Sequence, residues 1–519
     1  MNYLAKPVKF FIRRPLWQYV LLAALALSFF AYLAASPTFV DPDSFYHAKM
    51  AQLLVERGTL TDFPWLTATT LRYHFIDHHW LYHLLLIPFV NLWPPLYGLK
   101  VATVLLATGT ILAIFWLLRS LKIKGAFWFA LFLLTVNPFI FRLNLAKATA
   151  LVLILVFLAI YLIFNRRYFL LLFLSAAYVW AYGGWPLAGF LVLAYCVISC
   201  LWALSQRGFL AMHLGQTSIL KQNFWLLLSV FTGLAAGFFF SPYFPQNIYF
   251  YWQQIFKIAL VNYQSVIGVG GEWYPYPPGE LLGAAAPFFA LLFIALLSFA
   301  WSYRKQPLHA WFFLFMTLVF CGLTLKSRRY VEYFVPFGAV FSALSLNVLW
   351  QATSAKFTRY LPRNFFIGLM LALIIGGLPL FYQDMKLLKN AFTGGFAFDR
   401  FAAASAWLEN NSEPGDIVFH SDWDEFPLLF FHNDSNYYLV GLDPTFMYEF
   451  DRDLHQRWVA ITTGKSADNM YQNIKQAFGA QYVFVDYLQN GDFDRNLSNN
   501  FNFEVVYSDA EAKIYKVAE

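Results

Sequence analysis

The chain has 519 residues, of which 60% are apolar, 21% aromatic and only 13% charged, with a formal net charge of +7. So large an apolar share over such a length excludes a soluble globular protein and a disordered one, and points to a polytopic membrane protein. Its three cysteines, Cys196, Cys200 and Cys321, all lie in apolar stretches, so no disulfide framework is implied.

Apolar runs long enough to span a bilayer fall at 16–36, 97–118, 125–141, 147–164, 168–182, 185–204, 222–241, 279–301, 308–325, 330–350 and 364–383, about eleven in all. The first lacks a small-residue cleavage site and reads as a retained helix. The stretch 80–93 is short and carries Tyr82 and His83, which suits an interfacial or re-entrant helix. Lys6, Lys9, Arg13 and Arg14 precede the first run, and alternate loops carry Arg119, Lys122 and Lys124, then Arg166 and Arg167, Arg207 and Lys221, Arg304 and Lys305, and Lys356, Arg359 and Arg363. Those loops hold no acid and read as cytoplasmic. The amino terminus is then cytoplasmic in the inner (plasma) membrane, and the loops 37–96 and 242–278 lie outside with everything after residue 383.

The expected division is a transmembrane region 1–383, mainly α-helical, and a soluble extracytoplasmic α/β domain 384–519. The second region alternates strand candidates at 417–420, 437–440, 482–486, 503–507 and 512–516 with helices near 398–410, 448–462 and 467–478. It also holds most of the acid. Only Asp41, Asp43, Glu56, Asp62, Asp77, Glu272, Glu280 and Glu332 precede residue 384, and by this topology all eight face outward. Ionised groups at a bilayer boundary are costly unless they bind something.

Three outer constellations carry possible chemistry. Asp41, Asp43 and His47 follow the first span, and the run 77–83 adds His79 and His83 on one face if it is helical. A carboxylate there suits a general base or a ligand for a divalent cation, Mg or Mn, with Asp41, Asp43 and Glu272 as the candidate metal set. Asp41 also suits a helix cap, and the histidines suit interfacial hydrogen bonding. Arg142 and Lys147 at the junction of the third and fourth spans, with Arg328 and Arg329 between the ninth and tenth, run against the positive-inside trend. They suit a phosphate or pyrophosphate head group, or lipid snorkelling. Glu272 ends a glycine-rich outer segment, as expected of a gate beside a substrate, while Glu280 reads as a helix-start acid.

Asp43-Ser44-Phe45-Tyr46-His47-Ala48-Lys49 resembles the first-loop aspartate motif of oligosaccharyltransferase catalytic subunits, members of the GT-C superfamily that uses polyprenyl-phosphate-linked sugars. Asp43 and the run Asp77-His78-His79-Trp80-Leu81-Tyr82 also resemble elements of the protein mannosyltransferase and aminoarabinose transferase branch. Glu272 loosely resembles the oligosaccharyltransferase Ser/Thr-x-x-Glu loop, and Arg328-Arg329-Tyr330-Val331-Glu332-Tyr333 its Arg-Phe-x-x-Tyr helix start. Ser421-Asp422-Trp423-Asp424-Glu425-Phe426 stands where a Trp-Trp-Asp-Tyr-Gly motif would bind an acceptor sequon. Where that family carries a second acidic metal motif, this chain has Arg142, Asn144 and Lys147.

The resemblance implies a GT-C fold and transfer of a sugar or glycan from a polyprenyl-phosphate or -pyrophosphate carrier to an external acceptor. Catalytic candidates are Asp43, Asp41, His47, His79 and Glu272; substrate-binding candidates are Arg142, Lys147, Arg328, Arg329, Trp423 and Asp424. Membrane lipids are expected partners and nucleic acid is not. A lipid-glycan ligase or transporter, or a non-enzymatic membrane assembly protein, stays open at this point.

Overall fold

A computed structural model describes residues 15–207, 218–360, 379, 381–466 and 469–519. The chain divides into two compact units, each assembled from three separated stretches: 1–36, 101–237 and 272–393 in the first, and 37–100, 238–271 and 394–519 in the second.

The first unit is helical. Among the described residues of the chain, seven helices are long and apolar enough to cross a membrane, or eight if the bent pair 126–135 and 137–143 counts as one span. That is fewer than eleven, for visible reasons. The run 125–141 breaks with an 84° bend, and the helices Thr149–Phe164 and Tyr168–Ala181 are shorter than a full crossing. The expected span 364–383 lies almost wholly outside the described residues. Gly233 and Gly237, one turn apart on the helix Ile219–Phe239, lie against the backbone carbonyls of Leu172 and Ala176, where a side chain at either position would collide. A helix pair inside a membrane gains from such small-residue contacts because backbones can approach closely.

The second unit builds a five-stranded mixed sheet from β3 (Ile417–His420), β4 (Tyr437–Tyr438), β5 (Tyr482–Val485), β6 (Phe503–Ser508) and β7 (Lys513–Val517), in the order β4-β3-β5-β7-β6. β3 runs parallel to β4 and β5, while β7 is antiparallel to β5 and β6. Phe419, Val483, Val485, Phe493 and Tyr515 bury its core. Residues of the segment 37–96 extend the sheet past β4: Tyr438 N–H donates to the Trp65 carbonyl at 2.7 Å and Thr67 N–H to the Tyr438 carbonyl at 2.9 Å. A small ribbon, β1 (Thr38–Phe39) against β2 (Phe396–Ala397), ties the same two regions together again.

Two helices of the segment 37–96, Asp43–Arg57 and Trp80–Leu92, lie against each other, and Phe426–His432 covers the first of them. Phe45 meets Phe431 edge-on at 5.8 Å, and Tyr46 lies 6.3 Å from Phe430. Lys49 and Arg57, on the same helix, both grip the Asp434 carboxylate, at 2.8 and 2.7 Å.

Candidate functional site

In the second unit, the turn Asp41-Pro42-Asp43 starts the helix Asp43–Arg57. The Asp41 carboxylate accepts the Asp43 N–H at 3.0 Å, so Asp41 acts as a local cap. Asp43 itself occupies the first turn, where the positive end of the helix dipole favours a carboxylate. One turn on, at four residues' spacing, stands His47, so both side chains share a face.

His47 is buried, and its Nδ1 lies 2.7 Å from Nε2 of His83. His83 Nδ1 in turn lies 2.6 Å from the Asp77 carboxylate. The other Asp77 oxygen accepts the His79 N–H at 3.0 Å, and the His79 ring sits 5.1 Å from that of His47. Asp77 and His83 thus join the expected His47 in one buried line, with the half-buried His79 beside it. The four-residue spacing of His79 and His83 was the sequence signal for it.

Trp423 and Asp424 lie in a tight capped turn. The Asp422 carboxylate accepts the Asp424 N–H at 3.2 Å, while Glu425 accepts the Asp422 N–H at 2.9 Å and the Ser421 hydroxyl. Burial pushes the carboxyls of both Asp422 and Glu425 up, although His420 beside them pulls back. Trp423 rests against the core of the sheet. A structural role thus accounts for Asp422 and Glu425.

In the first unit cations gather around two carboxylates, Glu272 and Glu332. Arg142 holds one Glu332 oxygen with Nε at 2.9 Å and Nη2 at 2.8 Å, and its Nη1 holds Glu272 at 2.5 Å. Arg329 reaches the other Glu272 oxygen at 3.3 Å, donates to the Tyr182 hydroxyl at 2.9 Å, and lies 4.5 Å over the Trp273 ring. Arg328 lies over Tyr276 and donates to the Pro275 carbonyl at 3.3 Å. Ser327 donates to the Glu272 carbonyl at 2.8 Å, so the segment 272–276 is fastened to the start of the helix Val331–Tyr360. Burial pushes the Glu272 carboxyl up, but Arg329, Arg142 and Lys147 outweigh it and hold the group well below the usual carboxylate range. Arg142 and Arg329 thus hold Glu272 between them, with Lys147 close enough to lower its carboxyl as well. Glu332 and Tyr182 went unassigned in the sequence. The four-residue spacing of Arg328 and Glu332 places that acid beside the helix start.

Of the three carboxylates expected around a divalent cation, Glu272 does not fit, because both its oxygens are held by guanidinium groups. Asp41 and Asp43 remain. Among the described residues no group of three or more His, Cys, Asp or Glu side chains is disposed to hold a metal.

No family model matches the chain, and no curated protein matches it. Solved structures do. An oligosaccharyltransferase of Archaeoglobus fulgidus superposes with a TM-score of 0.61 at 14% identity, over 96% of this chain and 74% of that one. ArnT of Cupriavidus metallidurans gives 0.54 at 13% identity, over 96% and 97%. The arabinofuranosyltransferase AftD from Mycobacteria gives 0.53 at 11%, over 96% and 40%. The first has been solved with a tethered acceptor peptide and with zinc and sulfate, the second with undecaprenyl phosphate. At these identities the likeness establishes the fold alone: this chain shares the fold of these three glycosyltransferases.

Proposed function

From the GT-C fold as premise, we propose that the chain is a membrane glycosyltransferase that moves a sugar or glycan from a polyprenyl-phosphate or -pyrophosphate carrier to an extracytoplasmic acceptor. The observation that carries this reading is the clustering of Arg142, Arg329 and Lys147 around Glu272. Cations gathered beside long apolar helices match a lipid-borne phosphate, whose anion must be stabilised as it departs. The neighbours are consistent with it, since ArnT has been seen with undecaprenyl phosphate.

In the reaction, an acceptor oxygen attacks the anomeric carbon as the carbon–oxygen bond to phosphate breaks. The electron pair of that bond goes to the phosphate oxygen, and the acceptor proton must be removed. Arg142, Lys147, Arg328 and Arg329 are assigned to the phosphate, with Glu272 positioning two of them. Asp43 is assigned as the carboxylate that takes the acceptor proton, with Asp41 capping its turn and His47 and His79 beside it. Trp423 and Asp424 are assigned to the acceptor side. If Mg or Mn takes part, Asp41 and Asp43 are the carboxylates left to hold it. The reading keeps eleven crossings, an amino terminus in the cytoplasm, a transmembrane region 1–383 and an external domain 384–519.

The test is transfer or donor hydrolysis by the purified protein in nanodiscs, supplied with a panel of undecaprenyl-linked sugars. Transfer that disappears in Asp43→Asn at unchanged thermal stability supports the reading, and chelation tells whether a cation is needed as well. Binding of the lipid without turnover of any donor would favour the ligase or transporter reading; neither binding nor turnover would favour an assembly protein.

A further inference from the structure

The line Asp77–His83–His47 is built from buried groups throughout: relative exposures are 3% for Asp77, 0% for His83 and 2% for His47. Each link has hydrogen-bond length, and the second oxygen of Asp77 is fixed by the His79 N–H. Such a line has a direction. A carboxylate only accepts, so His83 must carry a proton on Nδ1, which leaves its Nε2 as a lone pair when the ring is neutral. That lone pair can only accept, so His47 must donate from Nδ1 and keep its own lone pair on Nε2. Facing His47 are the rings of Tyr46, Tyr82 and His79, and Tyr243 and Tyr251 feel the Asp77 charge.

We propose that Asp77 and His83 are positioning residues for the transfer reaction, holding His47 in the tautomer that presents its Nε2 lone pair on the helix face it shares with Asp43. The first two turns of that helix then carry two proton acceptors on one face, one anionic and one neutral, instead of an acceptor beside an N–H donor. This rests on the assignment of Asp43 to the acceptor proton, but the tautomer itself does not depend on any activity.

Asp77→Asn tests it cleanly. The amide oxygen can keep the His79 N–H, so its NH₂ group turns to His83 Nδ1 and reverses both imidazoles, leaving His47 with its proton on Nε2. In the full chain in nanodiscs with ¹⁵N-labelled histidine, the wild type should show His47 and His83 protonated on Nδ1, and Asp77→Asn should show both on Nε2. With undecaprenyl-linked sugars, kcat should fall about 10²- to 10⁴-fold while the donor KM stays within about threefold. A wild-type His47 protonated on Nε2, or an unchanged kcat in Asp77→Asn when Asp43→Asn is inactive, overturns the proposal. Full activity of Asp43→Asn instead defeats the functional reading and leaves the tautomer measurement to decide this one.

Discussion

Arg142 meets Glu332 side-on, two of its nitrogens converging on a single carboxylate oxygen at 2.9 and 2.8 Å, with Glu332 fully buried. The remaining guanidinium nitrogen is on Glu272. Glu332 is therefore the inner anchor of the cation cluster and Glu272 its outer partner. The two acids should fail differently when changed.

Glu332→Ala strands a buried guanidinium, and breaking such a pair costs about 3–5 kcal/mol. The expected outcome is a lower melting temperature and poor recovery from the membrane. Thermal unfolding in detergent measures it, and a wild-type melting curve would show that Arg142 does not need Glu332.

Glu272→Gln acts on position more than on stability. Its carboxylate aligns Arg142 and Arg329, so neutralising it frees both from their outer tether. Turnover should drop about tenfold or more, with a melting shift smaller than that of Glu332→Ala. Equal melting losses for the two variants would assign Glu272 to the scaffold alone.

Lys147→Gln removes one cation and leaves the arginine bridges in place. Undecaprenyl phosphate should bind about tenfold more weakly, ~1.4 kcal/mol, and the variant should melt like the wild type. Titration of the lipid into nanodiscs reads this directly; unaltered affinity would take Lys147 off the phosphate.

His455, buried between Tyr448 and Trp458, has its pKa lowered from 6.5 to about 4 by burial. Between those values the unfolded chain binds a proton that the folded one refuses, so stability is present above the unfolded value and is lost as pH falls toward about 4. His455→Gln should flatten that loss by on the order of 1–2 kcal/mol, as read from denaturant midpoints across the range. An unchanged slope would place the acid sensitivity elsewhere, with His432, similarly lowered to about 4, as the first suspect.

The strands of the second unit were legible because β-branched and aromatic runs alternate with turn residues there: Ile417–His420 and Tyr482–Val485 form where the pattern puts them. The spans were legible as apolar runs but not as crossings. Hydropathy does not register the bend between Thr135 and Asn137, where Pro138 stands in the first turn of the second helix and cannot continue the first. At the candidate site, Asp43, His47 and the outer arginines stand out by composition. Glu332 did not, because its partner Arg142 lies in a distant segment and only the fold brings them together. Asp77 and His83 were visible as residues of the run 77–83, but their link to His47 needed the fold.

The second unit has an implication for how the molecule is made. Phe45 and Tyr46, near the start of the chain, find their partners in Phe431 and Phe430, and β1 waits for β2 at Phe396–Ala397. A ribosome threads the intervening helices into the bilayer before those partners exist, so the segment 37–96 spends most of translation with its aromatic face uncovered. Its completion is a late event. Truncation shortly before residue 394 should leave that segment exposed to proteases on an otherwise inserted chain, and separate expression of 394–519 should yield a fragment that lacks its edge at Trp65–Ala68 and aggregates.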